Sequence, residues 1–274
     1  MKIGYVCTNY NNSDYTAKAV RTLQAGAGHE YSIVIVDNHS DKESVRQLLD
    51  LAGEFQDIRL VLNPDNVGYF RGLNIGIRNL REHDPEVEWL VIGNNDLEFP
   101  VDFAATIFAK AVELREHAVV SPDILTVEGE HQNPHVISGI SLFRELAYDL
   151  YYSNYYLGLA TLKLAKLLPF LSQRDDEEEW QTSRPIYQGH GSCYLLGPRF
   201  FEQFEELWAP TFMMSEEYFL SKQLSDVGQC VFYEPAIRVV HHWHGSLDKL
   251  PSRKRWNMAR EAHREYRKYV KVFR

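Results

Sequence analysis

Cysteine is scarce: Cys7, Cys193 and Cys230 are the three in 274 residues. An odd, sparse set without a C-x-x-C pair argues against a disulfide framework and a structural zinc site and points to a reducing compartment. Basic charge is also short. With 29 Lys and Arg against 38 Asp and Glu, the net charge of −9 makes the chain a poor candidate for general nucleic-acid binding, which runs on phosphate neutralisation. No apolar run reaches the roughly 20 residues that span a bilayer. Residues 1–12 carry one Lys and a short run broken by polar residues, which reads as a first strand and not as a signal peptide. Two nucleotide-binding signatures are missing as well: there is no G-x-x-x-x-G-K-[ST], and no G-x-G-x-x-G follows the first strand. No internal repeat is present. The expected location is the cytoplasm.

What is there suits one large domain or one domain plus an appendage: 45% of residues are hydrophobic and 13% aromatic, with 16 Tyr. Apolar runs at 3–7, 31–36, 58–62, 87–92 and 117–120 read as strands. Between them, 14–26, 42–52, 68–82 and 101–116 read as helices. The β-branched run at 31–36 suits a parallel strand buried on both faces. This alternation predicts a doubly wound α/β sheet. The second half differs. Residues 145–170, rich in Tyr and Leu with some Lys, predict a helix or helix pair. Residues 173–180 form an acidic run that reads as a solvated loop. Residues 185–196 return to the sheet, 215–227 are helical, 230–233 and 237–240 read as two strands, and 251–274 as a basic helical tail.

The polar clusters fall at the strand ends. They are Thr8-Asn9-Tyr10-Asn11, Asp37-Asn38-His39-Ser40, Asn63-Pro64-Asp65-Asn66-Val67-Gly68 and Gly93-Asn94-Asn95-Asp96. Turn chemistry explains any one of them. Four on the same side of the sheet predict a shared ligand site, because open α/β sheets bind ligands outside the carboxyl ends of their strands. Gly68, Gly72 and Gly76 repeat every fourth residue along one helix face. Glycine there costs about 1 kcal/mol against alanine, so the spacing signals close approach, either to the sheet or to a ligand. Asp96, after a buried strand, can hold a hard divalent cation, Mg²⁺ or Mn²⁺, that bridges diphosphate oxygens.

These pieces resemble the family 2 glycosyltransferases with the GT-A fold, near their rhamnosyltransferase-like branch. The similarity is carried by Thr8-Asn9-Tyr10-Asn11, Val36-Asp37-Asn38-His39-Ser40, the long match from Asn66-Val67-Gly68-Tyr69-Phe70-Arg71 through Gly72-Leu73-Asn74-Ile75-Gly76, Asn94-Asn95-Asp96, Glu216-Glu217, and the histidines between Val240 and Ser246. The resemblance implies a Rossmann-like, mostly parallel sheet in a domain over 1–250, with a nucleotide-sugar half at 1–120, an acceptor half at 121–250 and a helical tail at 251–274. It implies a UDP- or dTDP-sugar donor held by Thr8, Asn9, Tyr10, Asp37, Asn38, Asn66, Gly68, Arg71, Asn74, Asn94 and Asn95, with Asp37 on the nucleobase. Asp96 matches the last carboxylate of an Asp-x-Asp-like motif whose first two positions here are Asn. His242 or His244, in a cluster with His241, would join Asp96 at the metal. His190 and Gly191 match the acceptor side. Glu217 matches the general base and Glu216 its neighbour; residues adjacent on a helix diverge by about 100°, so one of the two is expected to face the cleft.

The implied reaction is inverting transfer of a sugar to an acceptor hydroxyl on a glycan or lipid-linked chain, in polysaccharide or glycan biosynthesis. Residues 145–170, with Lys163 and Lys166, are compatible with peripheral membrane contact or with a lid or homodimer helix. Two other classes stay open. A nucleotidyltransferase would share the sheet, but residues 8–12 lack its Gly-rich basic loop. A non-catalytic sugar-nucleotide or glycan-binding module would bind without turnover.

Overall fold

The computed structural model describes residues 2–26, 29–167, 179–242 and 252–270. The first half follows the apolar periodicity closely: β1 (Lys2–Asn9), α1 (Ser13–Gln24), β2 (Glu30–Asp37), α2 (Lys42–Glu54), β3 (Ile58–Leu62), α3 (Tyr69–His83), β4 (Trp89–Asn94), β5 (Leu97–Glu98), α4 (Phe103–Leu114) and β6 (Val119–Thr126). The second half gives α5 (Leu142–Ser153), α6 (Tyr155–Leu167), β7 (Arg184–Ile186), β8 (Cys193–Leu196), α7 (Pro198–Gln203), α8 (Glu216–Ser225), β9 (Val231–His241) and α9 (Ser252–Tyr266). The segment expected as a helix or helix pair is a pair, broken at Asn154, whose backbone is extended. The two strands expected at 230–240 are one, β9, with a register shift where it passes Pro122 and Asp123 of β6. Most of the acidic run, residues 173–178, lies outside the described residues, as do both ends of the tail, at 251 and 271–274.

Among the described residues the strands form one open mixed sheet, ordered β3-β2-β1-β4-β8-β6-β9-β5, with β7 also on β9. β1 to β4 are parallel; β8 enters antiparallel between β4 and β6. This is the expected Rossmann-like α/β architecture. Side-chain alternation divides the central strands between two cores. Tyr5, Cys7, Ile33, Ile35 and Val91 face α1, α2 and α4 through Val20, Leu48 and Ile107. Val6, Val34, Val36, Leu90 and Ile92 face α3, α7 and α8 through Leu73, Ile77, Phe200 and Leu220. Each such side chain contributes about 1.5–3 kcal/mol by leaving water, so the register of the central strands is firmly set.

The glycine series is explained by close helix–sheet packing. A Cβ on Gly72 would stand 2.7 Å from Cγ2 of Thr8, and one on Gly76 would run into Cγ1 of Val6. Gly68 does something else. Its φ of 91° lies in the left-handed region, and a Cβ there would collide with the carbonyl of Phe212. That carbonyl accepts from the N–H of Tyr69 at 3.0 Å, which ties the start of α3 to the loop before α8.

Candidate functional site

Topology gathers the site. β1, β2 and β4 are parallel and in register, so they end side by side: Thr8 pairs with Val36 and with Asn94. The antiparallel β8 starts where β4 stops, and the Asn94 N–H donates to the Ser192 carbonyl at 2.8 Å, which sets Gly189-His190-Gly191-Ser192 beside Asn94-Asn95-Asp96. From the far edge, β5 pairs with the end of β9, Leu97 opposite His241, and His242 N–H donates to the Asp96 carbonyl at 2.9 Å. Residues 213–217 close the remaining side. The result is a cleft of about 350 Å³ lined by the strand-end residues Thr8, Tyr10, Asn38, Asn66, Gly68 and Asn94–Asp96, by His190–Ser192, and by Met213–Glu217.

An amide network stiffens its floor. Asn9, fully buried, donates to Asp37 Oδ1 at 2.9 Å and accepts from Thr16 and from Asn95, whose amide also reaches Asn12 Oδ1 at 2.8 Å. Asn95 therefore acts as a strut between β4 and the start of α1. Asp37 is 1% exposed; its second oxygen accepts from the Ser40 N–H at 2.9 Å, and it sits behind Asn38 at the cleft wall. Asn38 donates to the Gly68 carbonyl at 3.0 Å, and Asn66 caps the Gly68 N–H at 3.0 Å, so two further strand ends are locked to the start of α3.

Asp96 is 2% exposed, and its Oδ1 has no hydrogen-bond partner. It lies 3.3 Å from Nε2 of His241. The His241 Nδ1 meets the Gln132 Oε1 at 2.8 Å, so it donates, and Nε2 meets the Asn94 amide nitrogen at 3.2 Å, so it accepts. Both contacts select one tautomer, with the Nε2 lone pair standing between the Asn94 amide and the orphan carboxylate oxygen, so that a bound cation would replace the Asn94 contact. Two electron-rich atoms so arranged, one of them unsatisfied and buried, suit a shared cation. Among the described residues no group of three or more His, Cys, Asp or Glu comes together as a metal site, so two donors are what the described chain offers here.

The sequence pattern singles out His242 and His244. His244 lies outside the described residues. His242 turns away from Asp96: its Nε2 is 2.8 Å from Glu98 Oε2 and 3.2 Å from Lys18 Nζ. Successive strand residues face opposite sides, so with β9 running to 241 the two neighbours cannot share the cleft. Arg71 and Asn74 also lie elsewhere. Arg71 donates to the carbonyls of Ala209 and Pro210 at 3.1 and 3.2 Å, and buried Asn74 exchanges hydrogen bonds of 2.8 and 2.9 Å with the backbone of Leu207. Both clamp α3 to the segment before α8 and line no part of the cleft.

Glu216 and Glu217 both line the cleft. Met214 and Ser215 adopt left-handed backbone, φ 76° and 65°, immediately before α8. This tight entry lets Glu216 fold back and accept from the Met214 N–H at 2.8 Å. Glu217 reaches across to Gly191, so closely that a Cβ there would stand 2.5 Å from its Oε1. The Gly191 carbonyl in turn accepts from the Tyr69 hydroxyl at 2.9 Å. Burial raises both carboxyls above the ordinary range, and for Glu216 the adjacent Glu217 charge adds to the rise. His190 is pushed down to about 3 by burial, with His135 and His241 close by, so it is a neutral imidazole; its Nδ1 is 2.9 Å from the Ser192 hydroxyl. The His190 backbone N–H donates to Asn133 Oδ1 at 2.8 Å. Asn12, Tyr69, Ser192, Met213 to Ser215 and His241 complete the site beyond the residues expected from sequence. Of these, His241 was reachable by strand parity, and Ser192 by its place beside Gly191.

A sequence model of glycosyl transferase family 2 matches residues 6–171. The low-salt glycan biosynthesis hexosyltransferase Agl10 of Haloferax volcanii is 25% identical over 232 residues, which are 83% of this chain and 64% of that protein, so this chain spans less than two thirds of its curated relative. GalNAc-T7, solved with UDP, GalNAc and Mn²⁺, superposes with a TM-score of 0.55 at 14% identity, over 89% of this chain and 44% of that one. Residues 1–349 of TarS from S. aureus superpose with a TM-score of 0.52 at 11% identity, over 98% and 73%. At these identities the two structures show the fold, GT-A-like, and nothing finer.

Proposed function

The chain belongs to glycosyl transferase family 2, and on that premise we propose that it transfers a sugar from a nucleoside diphosphate carrier to an acceptor hydroxyl, with inversion, in the making of a glycan. One observation carries this reading: a single cleft holds four polar strand ends, the orphan carboxylate oxygen of Asp96, and a carboxylate pair, buried Glu216 and half-buried Glu217. The strand ends and Asp96 suit a nucleoside diphosphate. The carboxylate pair suits removal of a proton from an alcohol. The nucleoside would lie over the ends of β1 and β2, against Thr8, Tyr10 and Asn38, with Asp37 beneath.

Asp96 and His241 fit a divalent cation, Mg²⁺ or Mn²⁺. When bound, such an ion supplies Lewis-acid stabilisation of the departing diphosphate. The chain's own part is to hold the acceptor hydroxyl near Glu217, which takes its proton as the oxygen attacks the anomeric carbon and the bond to the diphosphate breaks. Glu217 is favoured because it is oriented by Gly191, whereas Glu216 is occupied with Met214. The raised carboxyl suits a base, since its conjugate acid strength then lies nearer neutral pH.

The residue pattern from Asn66 to Gly76 supports a rhamnosyltransferase-like branch, which makes dTDP-deoxyhexoses the first donors to try beside UDP-hexoses. Thermal shift against a panel of nucleotide sugars, followed by hydrolysis and transfer assays with and without Mn²⁺, tests the proposal: a donor that stabilises the chain and is turned over supports it. Stabilisation by a sugar nucleotide with no turnover would make this a binding module, and turnover of a nucleoside triphosphate a nucleotidyltransferase.

A further inference from the structure

Exposed apolar side chains are concentrated in one part of the molecule. Of the nineteen large hydrophobic residues exposed among the described ones, ten lie on α5 and α6. Scattered exposure is ordinary in a folded protein, whereas a concentration of this kind marks a surface that meets something apolar. On α5, Phe143, Leu146 and Leu150 follow the helical repeat along one stripe. On α6, Leu157, Leu159, Leu162 and Leu164 are exposed, with Leu164 at 54%. At 100° per residue, the exposed apolar residues of α6 cover more than half of its circumference. Its anchoring side is narrow: buried Gly158 abuts Trp256 of α9 and the Tyr151 carbonyl.

Charge around this surface runs against the rest of the chain. The chain carries −9 overall, yet α9 holds five basic residues and two acidic ones. The acids of α5 face α9. Buried Glu145 bonds the Tyr266 hydroxyl and pairs with Arg267 at 2.8 Å, and Asp149 pairs with His263 at 2.9 Å and Arg267 at 2.6 Å. α6 has no acid at all and an exposed Lys163. At the start of α9, Arg253 and Lys254 are exposed where α9 meets α6; the Arg253 guanidinium lies 5.6 Å from the ring of Tyr155, which itself stands edge-on to Trp256 at 5.6 Å. Leucine, tyrosine and cations side by side, with the acids tied inward, match a lipid interface and its anionic headgroups. No described helix is long and apolar enough to cross a membrane, so the helices would lie in the interface plane.

We propose that α5, α6 and the start of α9 form a docking face for an anionic lipid surface. The face adjoins the acceptor side of the cleft: Tyr218, next to Glu217, stacks edge-on against Tyr266 at 4.4 Å, and Tyr266 bonds Glu145 of α5. A docked molecule therefore holds its carboxylate pair close to the membrane. The inference does not depend on the chemistry assigned to the cleft. In flotation, the full chain should rise with vesicles of equal parts phosphatidylglycerol and phosphatidylcholine, stay behind with phosphatidylcholine alone, and be released by high salt. Arg253→Gln with Lys254→Gln should lower partitioning about 30-fold, from about 1 kcal/mol per cation near the surface. Leu159→Glu with Leu162→Glu should abolish it. Both variants alter exposed positions and should keep the wild-type circular dichroism and nucleotide affinity. Wild-type protein that ignores the anionic vesicles overturns the proposal. So does flotation unchanged in both variants, or a stable dimer that Leu159→Glu with Leu162→Glu dissociates while nothing floats.

Discussion

Replacing Glu217 with Gln separates the chemistry of the cleft from its architecture. The amide keeps the shape that packs against Gly191 but cannot take a proton. Loss of a general base costs about 10²–10⁴ in rate, or about 3–5 kcal/mol of transition-state stabilisation. Nucleotide affinity should stay at the wild-type value, because the carboxylate faces the acceptor. Glu216→Gln should lose far less, since Gln also has an oxygen for the Met214 N–H that Glu216 binds at 2.8 Å. Two pH effects follow. Transfer needs ionised Glu217, so kcat/KM rises with pH through its raised pKa; Glu216, pushed up to about 8 by burial and the Glu217 charge, stays protonated along that limb, so Glu216→Gln should leave the limb in place. For stability, a carboxyl raised by burial favours the folded state fully below the unfolded value of 4.5, and this contribution is lost as pH climbs through the folded value. Each Gln variant removes one of the two losses, so at pH 8 both should melt no lower than wild type. Initial-rate transfer assays, calorimetry with the nucleotide and thermal melts across pH read all three. An active Glu217→Gln with a dead Glu216→Gln would make Glu216 the base and refute the assignment.

Two further substitutions test the geometry. His241→Gln should weaken Mn²⁺ binding, measured by the loss of the free-ion electron paramagnetic resonance signal, whereas His242→Gln should leave it unchanged because His242 bonds Glu98 and Lys18; the reverse result would mean that β9 ends with the other parity. Asn74→Ala should destabilise the fold by about 2–4 kcal/mol, from two buried hydrogen bonds lost with the Leu207 backbone left unsatisfied, while nucleotide affinity persists. Intact stability with lost nucleotide binding would make Asn74 a donor ligand.

The first half was legible because its physics is local. Strand β3 falls at 58–62 as the apolar run has it, and β2, α2 and α3 lie within a residue or two of the expected spans, since buried parallel strands and amphipathic helices write their period directly into the chain. The glycine spacing along α3 was legible as close approach, but only the fold could assign it to Thr8 and Val6. Three things were not legible. The break of β9 into two apparent strands comes from Glu234-Pro235-Ala236, where a register shift against β6 absorbs residues that look like a turn. The roles of Arg71 and Asn74 depend on a loop more than 130 residues away. The shared place of Glu216 and Glu217 in the cleft depends on two left-handed residues that are not glycine, where propensity gives no warning. The strand-end clusters do meet in one cleft, with Asn9, Asp37 and Asn95 spending their hydrogen bonds on its floor.

The contacts that close the cleft set the order in which it can come into being. Tyr69 reaches Gly191 over 122 positions, Gln132 reaches His241 over 109, and Asn94 reaches His241 over 147. Ordering so long an intervening chain is entropically costly until its strands have docked. During synthesis, β1 to β4 can pair as soon as they emerge, and they already carry every strand-end residue of the nucleotide side. The Asp96–His241 pair waits for β9. A nascent chain therefore has the shape of its nucleotide platform long before it has a complete site, and any interruption short of residue 241 leaves the platform without its partner wall.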